Sequence, residues 1–480
     1  MSDLAAVVDD VAERVTPDPE ERRRLERVAA TLTDRAEAAV ADLPVAADVL
    51  RVGSTARGTW LAGDRDIDLF VRFPADLDRE ELERYGLDVG HTVLPDGHEE
   101  YAEHPYVTGT HEGFDVDCVP CYDVDSAADI RSAVDRTPFH TSYLADRMDD
   151  ALAREVRVFK RFAKGVGVYG SDLRTEGLSG YLAELLVVEY GGVETLLEAV
   201  AEWSPPVRLD PADHGTETFD DALVVVDPTD PGRNVAAVCS AANVARLQHH
   251  ARELLADPQV APFFPDPPEP MSPATVKSHL DRRDSHPVAV VFAAPDVVED
   301  QLYPQLRRSL GGVRDELARR GFEPLRATVL AAREGADGDG DGDADGDGVD
   351  AENSAHDLPV NGPPAALLVE CAVATLPAVE RHEGPPVAVR DHAEGFFEAY
   401  AADDATYGPF IDGDRYVVER ERDVTTPEAL LRSDALFDVA LGTHVASSLA
   451  ADHAVLVGDA VARLAEPFGE ELREYFEPSV

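Results

Sequence analysis

The run DIDLFVRF at residues 66–73 constrains this chain more than any other stretch. Its length and apolar content are those of a strand with one buried face, yet it opens on two aspartates. Side chains at i and i+2 of a strand point to the same face. Asp66 and Asp68 therefore share a face and can hold one metal site jointly, while Ile67 turns into a core.

The residues ahead of this strand fit the same chemistry. VLRVGSTARGTW reads as a strand, a glycine turn and the start of a helix. Gly53-Ser54 offers bare backbone N–H groups and a hydroxyl to phosphate oxygens. Arg57 lies one helical turn on and can neutralise phosphate charge. Mg²⁺ suits such a place, because it takes a few carboxylates and keeps its other positions for phosphate and water. Two-metal phosphoryl transfer needs a third carboxylate to bring the attacking 3′ oxygen to the second ion. GFDVDCVPCYDV offers Asp115 and Asp117, again two positions apart, and strand alternation leaves both open. One Asp-x-Asp means little in a chain with 95 acidic residues. The ordered set of Gly-Ser, helix turn, Asp-x-Asp and a later strand aspartate resembles the DNA polymerase β-type nucleotidyltransferases.

The 95 acidic residues face 43 basic ones, a net charge of −52. Taken simply, this would exclude a polyanionic partner. At 1 M salt, however, the Debye length is only about 3 Å, so local cationic contacts would still work. Only three of the basic residues are lysine (Lys160, Lys164 and Lys277). Lysine-poor, acid-rich surfaces with much alanine and valine resemble those of extreme halophiles. No run of 18 apolar residues exists, so no membrane-spanning helix is expected. The acidic start MSDLAAVVDDVAERV does not read as a signal peptide. Four cysteines argue for a reducing, cytoplasmic setting. The lone Cys118-x-x-Cys121, with Pro120 between and no second pair, is not expected to bind zinc.

At 480 residues the chain exceeds one core and suggests about three domains or more. Residues 18–42 have helical periodicity, with Thr16 as a cap ahead of Pro17. HPYVTGT and GFDVDCVPCYDV read as two strands joined at Glu112-Gly113. From Pro138 the pattern becomes helical, through DDALAREVRVFKRFAKGVGVYG, GLSGYLAELLVVEYGGVETLLEAV and a helix from about Asn234 to Leu255. Seven prolines within 258–273 mark a boundary. PVAVVFAA, a helix over 298–320, EPLRATVLAA and AALLVECAVA then give a β-α-β-β order. A helix near 391–401, a hairpin at Asp412-Gly413 and further helices follow. The expected organisation is α+β and multidomain. It comprises a nucleotidyltransferase head (1–140, a mixed sheet with helices), a helical central domain (141–257) and a linker (258–273). An α+β body (274–385) and a C-terminal tail with helices (386–480) complete it. Within the body, the Gly/Asp insertion 335–353 matches a calcium-loop pattern in one register, from Asp341 to Glu352. A dipeptide repeat will do so by chance, and a solvated hairpin tip is the expectation.

A closer resemblance rests on GSTARGTWLAGDRDIDLFVRFP, EHPYV, VDCVPCY, DRTPFHTSYL, FKRFAKGVGVYG, GLSGYLAELL and DPTDPGRNVAA, in order over 51–237, with RHEGPPV and YGPFIDGDRYVVE later. Together these strings are similar to archaeal-type (class I) CCA-adding enzymes. The resemblance implies addition of C, C and A to the tRNA 3′ end from CTP and ATP with Mg²⁺. It implies Asp66, Asp68 and Asp117 as the metal carboxylates, although the family often has glutamate at the first position. It further implies Ser54, Arg57, His140 and Lys160 on the triphosphate, Thr137 and Tyr169 lining the nucleotide site, Arg233 at the base, and His104 near the nucleotide or the aspartates. Read from the residues alone, His140 also suits a cap or core position, Tyr169 a packing role and Arg233 a salt bridge. Lys160 is the stronger case, since a chain with so few lysines could have used arginine there. The tRNA would be held by its acceptor stem and T-arm, by a homodimer. The alternatives are another enzyme on the same head, such as a poly(A)-adding one, or an inactive RNA-binding relative.

Overall fold

The computed structural model describes residues 3–101, 103–127, 129–332 and 358–480, and the chain divides into two compact units at Asp266/Pro267. The division falls inside the expected proline-rich linker. The Gly/Asp insertion and its calcium-loop reading lie outside the described residues.

The first unit begins with α1 (Asp3–Val15) and α2 (Pro19–Ala41). Asp18, not Thr16, caps α2: its carboxylate accepts from the N–H groups of Glu20 and Glu21 at 2.6 and 2.9 Å. Pro19 takes the first helical position, where its missing N–H costs nothing. There follow β1 (Asp48–Val52), α3 (Gly53–Arg57), β2 (Asp66–Pro74), α4 (Arg79–Val93), β3 (His98–Tyr101), β4 (Pro105–His111) and β5 (Phe114–Asp123). They form a mixed sheet in the order β1-β2-β5-β4-β3, with β2 and β5 parallel and the other pairs antiparallel. The turn at Glu112-Gly113 has positive φ at both residues (51° and 78°), as a tight hairpin requires.

Alternation splits this sheet cleanly. Ile67, Leu69, Val71 and Phe73 join Val116, Cys118 and Tyr122 on the face covered by α2 and α4. Val52, Phe70 and Cys121 make a small cluster on the opposite face. Cys118 and Cys121 are thus separated by the sheet. α4 approaches closely because it presents glycines: a Cβ on Gly86 would lie 2.6 Å from Pro120 Cβ, and one on Gly90 2.5 Å from Val107 Cγ2.

The helical part contributes α5 (Thr137–Ala145), α6 (Asp150–Gly165), α7 (Gly180–Tyr190), α8 (Val193–Ala201), β6 (Val207–Leu209), β7 (Leu223–Asp227), β8 (Asp230–Asn234) and α9 (Ala241–Ala256). Gly191 and Gly192, at φ 76° and 145°, break the expected long helix into α7 and α8. The helix expected from Asn234 starts at Ala241, capped by Ser240, because Asn234 ends a strand of the unforeseen β6-β7-β8 sheet. α1 also departs from the expected head: Leu4, Val8, Val11, Ala12 and Val15 pack into the core of α6–α9.

The second unit holds α10 (Pro273–Arg283), β9 (His286–Ala293), α11 (Glu299–Arg320), β10 (Pro324–Ala331), β11 (Pro364–Cys371), β12 (Val379–Pro386), α12 (Arg390–Tyr400), β13 (Tyr407–Asp412), β14 (Arg415–Glu421), α13 (Pro427–Leu431), α14 (Thr443–Ala451), β15 (His453–Val457) and α15 (Ala465–Phe476). The β-α-β-β order is present, but β15 returns to pair with β9 in a sheet ordered β10-β11-β9-β15. Residues 386–480 are therefore not a separate tail. A boundary at 385/386 would also cut β12, which pairs with β14. Among the described residues no helix is long and apolar enough to cross a membrane.

The α4 glycines generate a test. Gly90→Val overfills the contact with Val107 and is expected to cost about 1–3 kcal/mol, seen as a lower urea midpoint at fixed molar KCl.

Candidate active site

The parallel register of β2 and β5 sets Asp66 beside Asp115 and Asp68 beside Asp117. All four carboxylates share the sheet face opposite α2 and α4. Asp68 and Asp117 are half-buried, whereas Asp66 and Asp115 stand exposed at the strand starts. Asp115 accepts from Thr110 Oγ1 at 3.0 Å. Burial, then the charges of Asp117 and Asp66, push the Asp68 carboxyl up to about 6. Asp66 is raised by partial loss of hydration and by Asp64, Asp115 and Asp117, against Lys164. Asp117 is raised by burial, opposed by the Thr108 hydroxyl and reinforced by Glu100 and Asp115. Gly53 at φ +77° lies so close that a Cβ there would overlap Asp68 Oδ2, so any other residue would strain the turn that presents Ser54 and displace the Asp68 carboxylate. Crowded, partly desolvated hard-oxygen donors beside a bare turn are a donor set that a hard divalent cation would fit.

Beside this floor, two internal anions hold the cationic residues. Glu184 of α7 is fully buried. It meets Arg57 Nε at 2.7 Å, Lys160 Nζ at 2.8 Å and Thr59 Oγ1 at 2.5 Å. Arg57 also donates to Thr141 Oγ1 at 3.3 Å. Burial alone would raise the Glu184 carboxyl, but Lys160 and Arg57 outweigh it and hold it at about 2. Gly180, at the start of α7, leaves room for the Tyr169 hydroxyl, which a Cβ there would meet at 3.2 Å. Burial and the nearby Glu184 push that phenol up. Lys164 sits over the Tyr169 ring at 5.6 Å and pairs with Asp64 at 3.4 Å.

The second anion is Asp227, at the end of β7. It contacts His140 Nε2 at 2.8 Å and Arg233 Nη1 at 2.7 Å, and accepts from Thr229 Oγ1 at 2.8 Å. The His140 ring stacks on Tyr181 with centroids 3.8 Å apart. Burial lowers the His140 pKa, with Asp227 opposing. Thr137 opens α5, one helical turn before His140. α7 links the two groups: Tyr181 faces His140, and three residues on Glu184 faces Arg57.

Sequence reasoning missed Glu184, Asp227 and Tyr181. The available signal was Glu184 itself, a lone carboxylate inside the apolar run YLAELLVV. His104 is the residue the structure does not bring to the carboxylates. β4 begins only at Pro105, and its Thr108 pairs with Asp117 on the carboxylate face. His104 instead turns beneath the sheet, 3.5 Å from Glu83 of α4 and edge-on to Tyr122 at 6.0 Å.

Family models match along the chain. One for a nucleotidyltransferase domain covers residues 34–140, and one for the second domain of tRNA nucleotidyltransferase covers 154–264. One for the C-terminal domain of CCA-adding enzyme covers 283–336 and 355–458. The CCA-adding enzyme of Halorubrum lacusprofundi is 61% identical over 480 residues, all of both chains. That of Haloarcula marismortui is 58% identical, again over 100% of both. That of Methanoregula boonei is 42% identical over 93% of this chain and 90% of its own. The chain belongs to the CCA-adding enzyme family. It is a nucleotidyltransferase, and its acidic composition accords with its resemblance to CCA-adding enzymes of halophilic archaea. Within the CCA-adding C-terminal match, the gap at 337–354 coincides with the Gly/Asp run.

Glu184→Ala strands two cations in the interior and is expected to cost about 3–5 kcal/mol of stability at neutral pH. The folded carboxyl is held below its ordinary value of 4.5, so its stabilisation is present above that pH and is lost as pH falls towards 2. Unfolding midpoints of the wild type and the variant should therefore converge between pH 5 and 2. Parallel curves would contradict the assignment.

Proposed function

We propose that this chain adds C, C and A in sequence to the 3′ end of tRNA, from CTP and ATP, releasing pyrophosphate. The observation that carries the reading is the pairing of Asp68 with Asp117 in front of the Gly53-Ser54 turn. Asp66, Asp68 and Asp117 would hold Mg²⁺. When bound, Mg²⁺ would lower the pKa of the primer 3′-hydroxyl and neutralise charge on the triphosphate.

The chain's own groups position and neutralise. Ser54 and the turn backbone present donors to phosphate oxygens. Glu184 fixes Arg57 as a preorganised cation for the triphosphate, so little reorganisation is needed when the nucleotide arrives. Lys160, buried and donating to Glu184 and to the Thr59 hydroxyl and carbonyl, braces that arrangement from inside. Asp227 orients His140 towards the same phosphates and leaves part of the Arg233 fork for a base edge. Thr137 and Tyr169 line the pocket. His104, under the sheet, is left out of this reading. Kinship over the full length favours CCA addition over a poly(A)-adding enzyme or an inactive RNA-binding relative. The acceptor stem and T-arm would lie on the second unit, in a cytoplasmic homodimer.

Asp117→Asn is expected to reduce incorporation on tRNA lacking its terminal A by a factor on the order of 10³ or more, with the circular dichroism unchanged. The assay uses each single NTP in molar KCl with MgCl₂. Near-normal turnover by Asp117→Asn would remove it from the reading. Asp68→Asn tests the cation separately from activity. The raised pKa of Asp68 means that its ionised form costs stability above about pH 6, a cost that fades as pH falls towards 3.8. Without metal, Asp68→Asn should melt higher than the wild type at pH 7. MgCl₂ should raise the wild-type midpoint and leave that of Asp68→Asn almost unmoved.

A further inference from the structure

A cavity of about 890 Å³ opens between the end of α1, the start of α2, α3 and the start of α6. It lies within the first unit. Its lining includes Arg22, Arg51, Arg57, Arg154 and Arg157, an unusual concentration for a chain of net charge −52, and of these Arg57 is held by Glu184 and Thr141. Four acidic residues also line it: Glu13, Asp18, Glu26 and Asp150. Two of these are already engaged. Asp18 caps α2, and Glu26 pairs with Arg51 at 2.9 Å. Arg154 is likewise occupied, by Asp9 at 2.7 Å.

Arg22 and Arg157 differ from their neighbours. Arg22 Nε donates to the Pro17 carbonyl at 3.1 Å, and Arg157 Nη1 donates to the Gly58 carbonyl. Among the described residues neither guanidinium meets a carboxylate. Arg157 is only 7% exposed, and its Nε has no hydrogen-bond partner. Thr55 Oγ1, buried on α3, lacks one too. Burial first, then the charges of Arg22 and Arg154, lower the Arg157 pKa to about 10, with the Asp150 carboxylate opposing. Cations that repel one another, with donors unspent, bind most favourably an anion that can take several N–H groups at once. A tetrahedral phosphate matches guanidinium forks in this way. Such contact binding survives molar salt, where diffuse attraction is screened within about 3 Å.

We propose that this cavity, which meets the residues assigned to the nucleotide only at Arg57, is a second phosphate site in which Arg22 and Arg157 take a phosphate group directly. The bond from Arg157 to Gly58 ties the site to the end of α3. The group comes either from an RNA backbone or from a free phosphate ion. None of Asp66, Asp68 and Asp117 lines the cavity.

The test compares the full-length wild type with Arg22→Gln and Arg157→Lys in molar KCl. Inorganic phosphate is titrated by calorimetry, labelled tRNA transcript by fluorescence anisotropy, and KM for CTP is measured alongside. Losing one charged fork is expected to weaken the true ligand by about tenfold, with KM for CTP within about twofold for Arg22→Gln. Loss of tRNA affinity alone identifies the RNA backbone as the source. Loss of phosphate affinity alone identifies the free ion. Affinities for both ligands equal to wild type in both variants would overturn the proposal. So would a rise in KM for CTP that matches the loss of affinity, because the site would then not be separate.

Discussion

Parallel pairing of β2 with β5 crowds Asp66, Asp68, Asp115 and Asp117 onto one sheet face, and the first unit is arranged around the charge this concentrates. Ionised carboxylates that are crowded and partly desolvated have raised pKa values: burial, Asp117 and Asp66 raise Asp68, and burial, Glu100 and Asp115 raise Asp117. That arrangement works against folding and has to be offset elsewhere. The offset lies on the other side of the same strands, where Ile67, Leu69, Val71 and Phe73 are buried against α2 and α4. Each buried aliphatic or aromatic side chain is worth about 1.5–3 kcal/mol, so the apolar face can carry the strained polar one. Gly86 and Gly90 let α4 close on that face.

Cations near the site are fixed by internal anions rather than by the acidic surface. Glu184 and Asp227 are fully buried, and each gathers two basic side chains. The distinction matters at high salt. Exposed pairs such as Arg14–Asp10 are worth between nothing and about 1 kcal/mol and are screened further by salt. A buried pair is screened much less. Arg57, Lys160, His140 and Arg233 therefore keep their positions in a solvent that erases diffuse electrostatics.

Much of this was legible in local pattern. The alternation of DIDLFVRF gave the shared face of Asp66 and Asp68, and the β-α-β-β order of the second unit followed from hydrophobic runs and turns. What stayed hidden is non-local. A parallel register depends on a crossover through α4, β3 and β4, so the row from Asp66 to Asp117 could not be read from either strand alone. Glu184 was masked because seven apolar or aromatic neighbours in YLAELLVV read only as a buried helix. β15 was missed because five residues, HAVLV, look alike as strand or helix until β9 offers them an edge. Thr16 lost the cap of α2 to Asp18 because a carboxylate two residues nearer the first turn reaches two N–H groups at once. His104 stood one residue outside the strand whose face would have carried it to the carboxylates.

The net charge now acquires a structural meaning. The −52 resides mainly on the surface, where self-repulsion opposes the compact state and dissolved salt relieves it. The groups around the proposed nucleotide pocket are paired inside and owe little to that relief. Salt therefore acts on the site chiefly by keeping the chain folded. Net charge is thus no measure of which partners the chain accepts. What decides is whether a cation is held, desolvated and only partly satisfied, at the point where an anion would touch it.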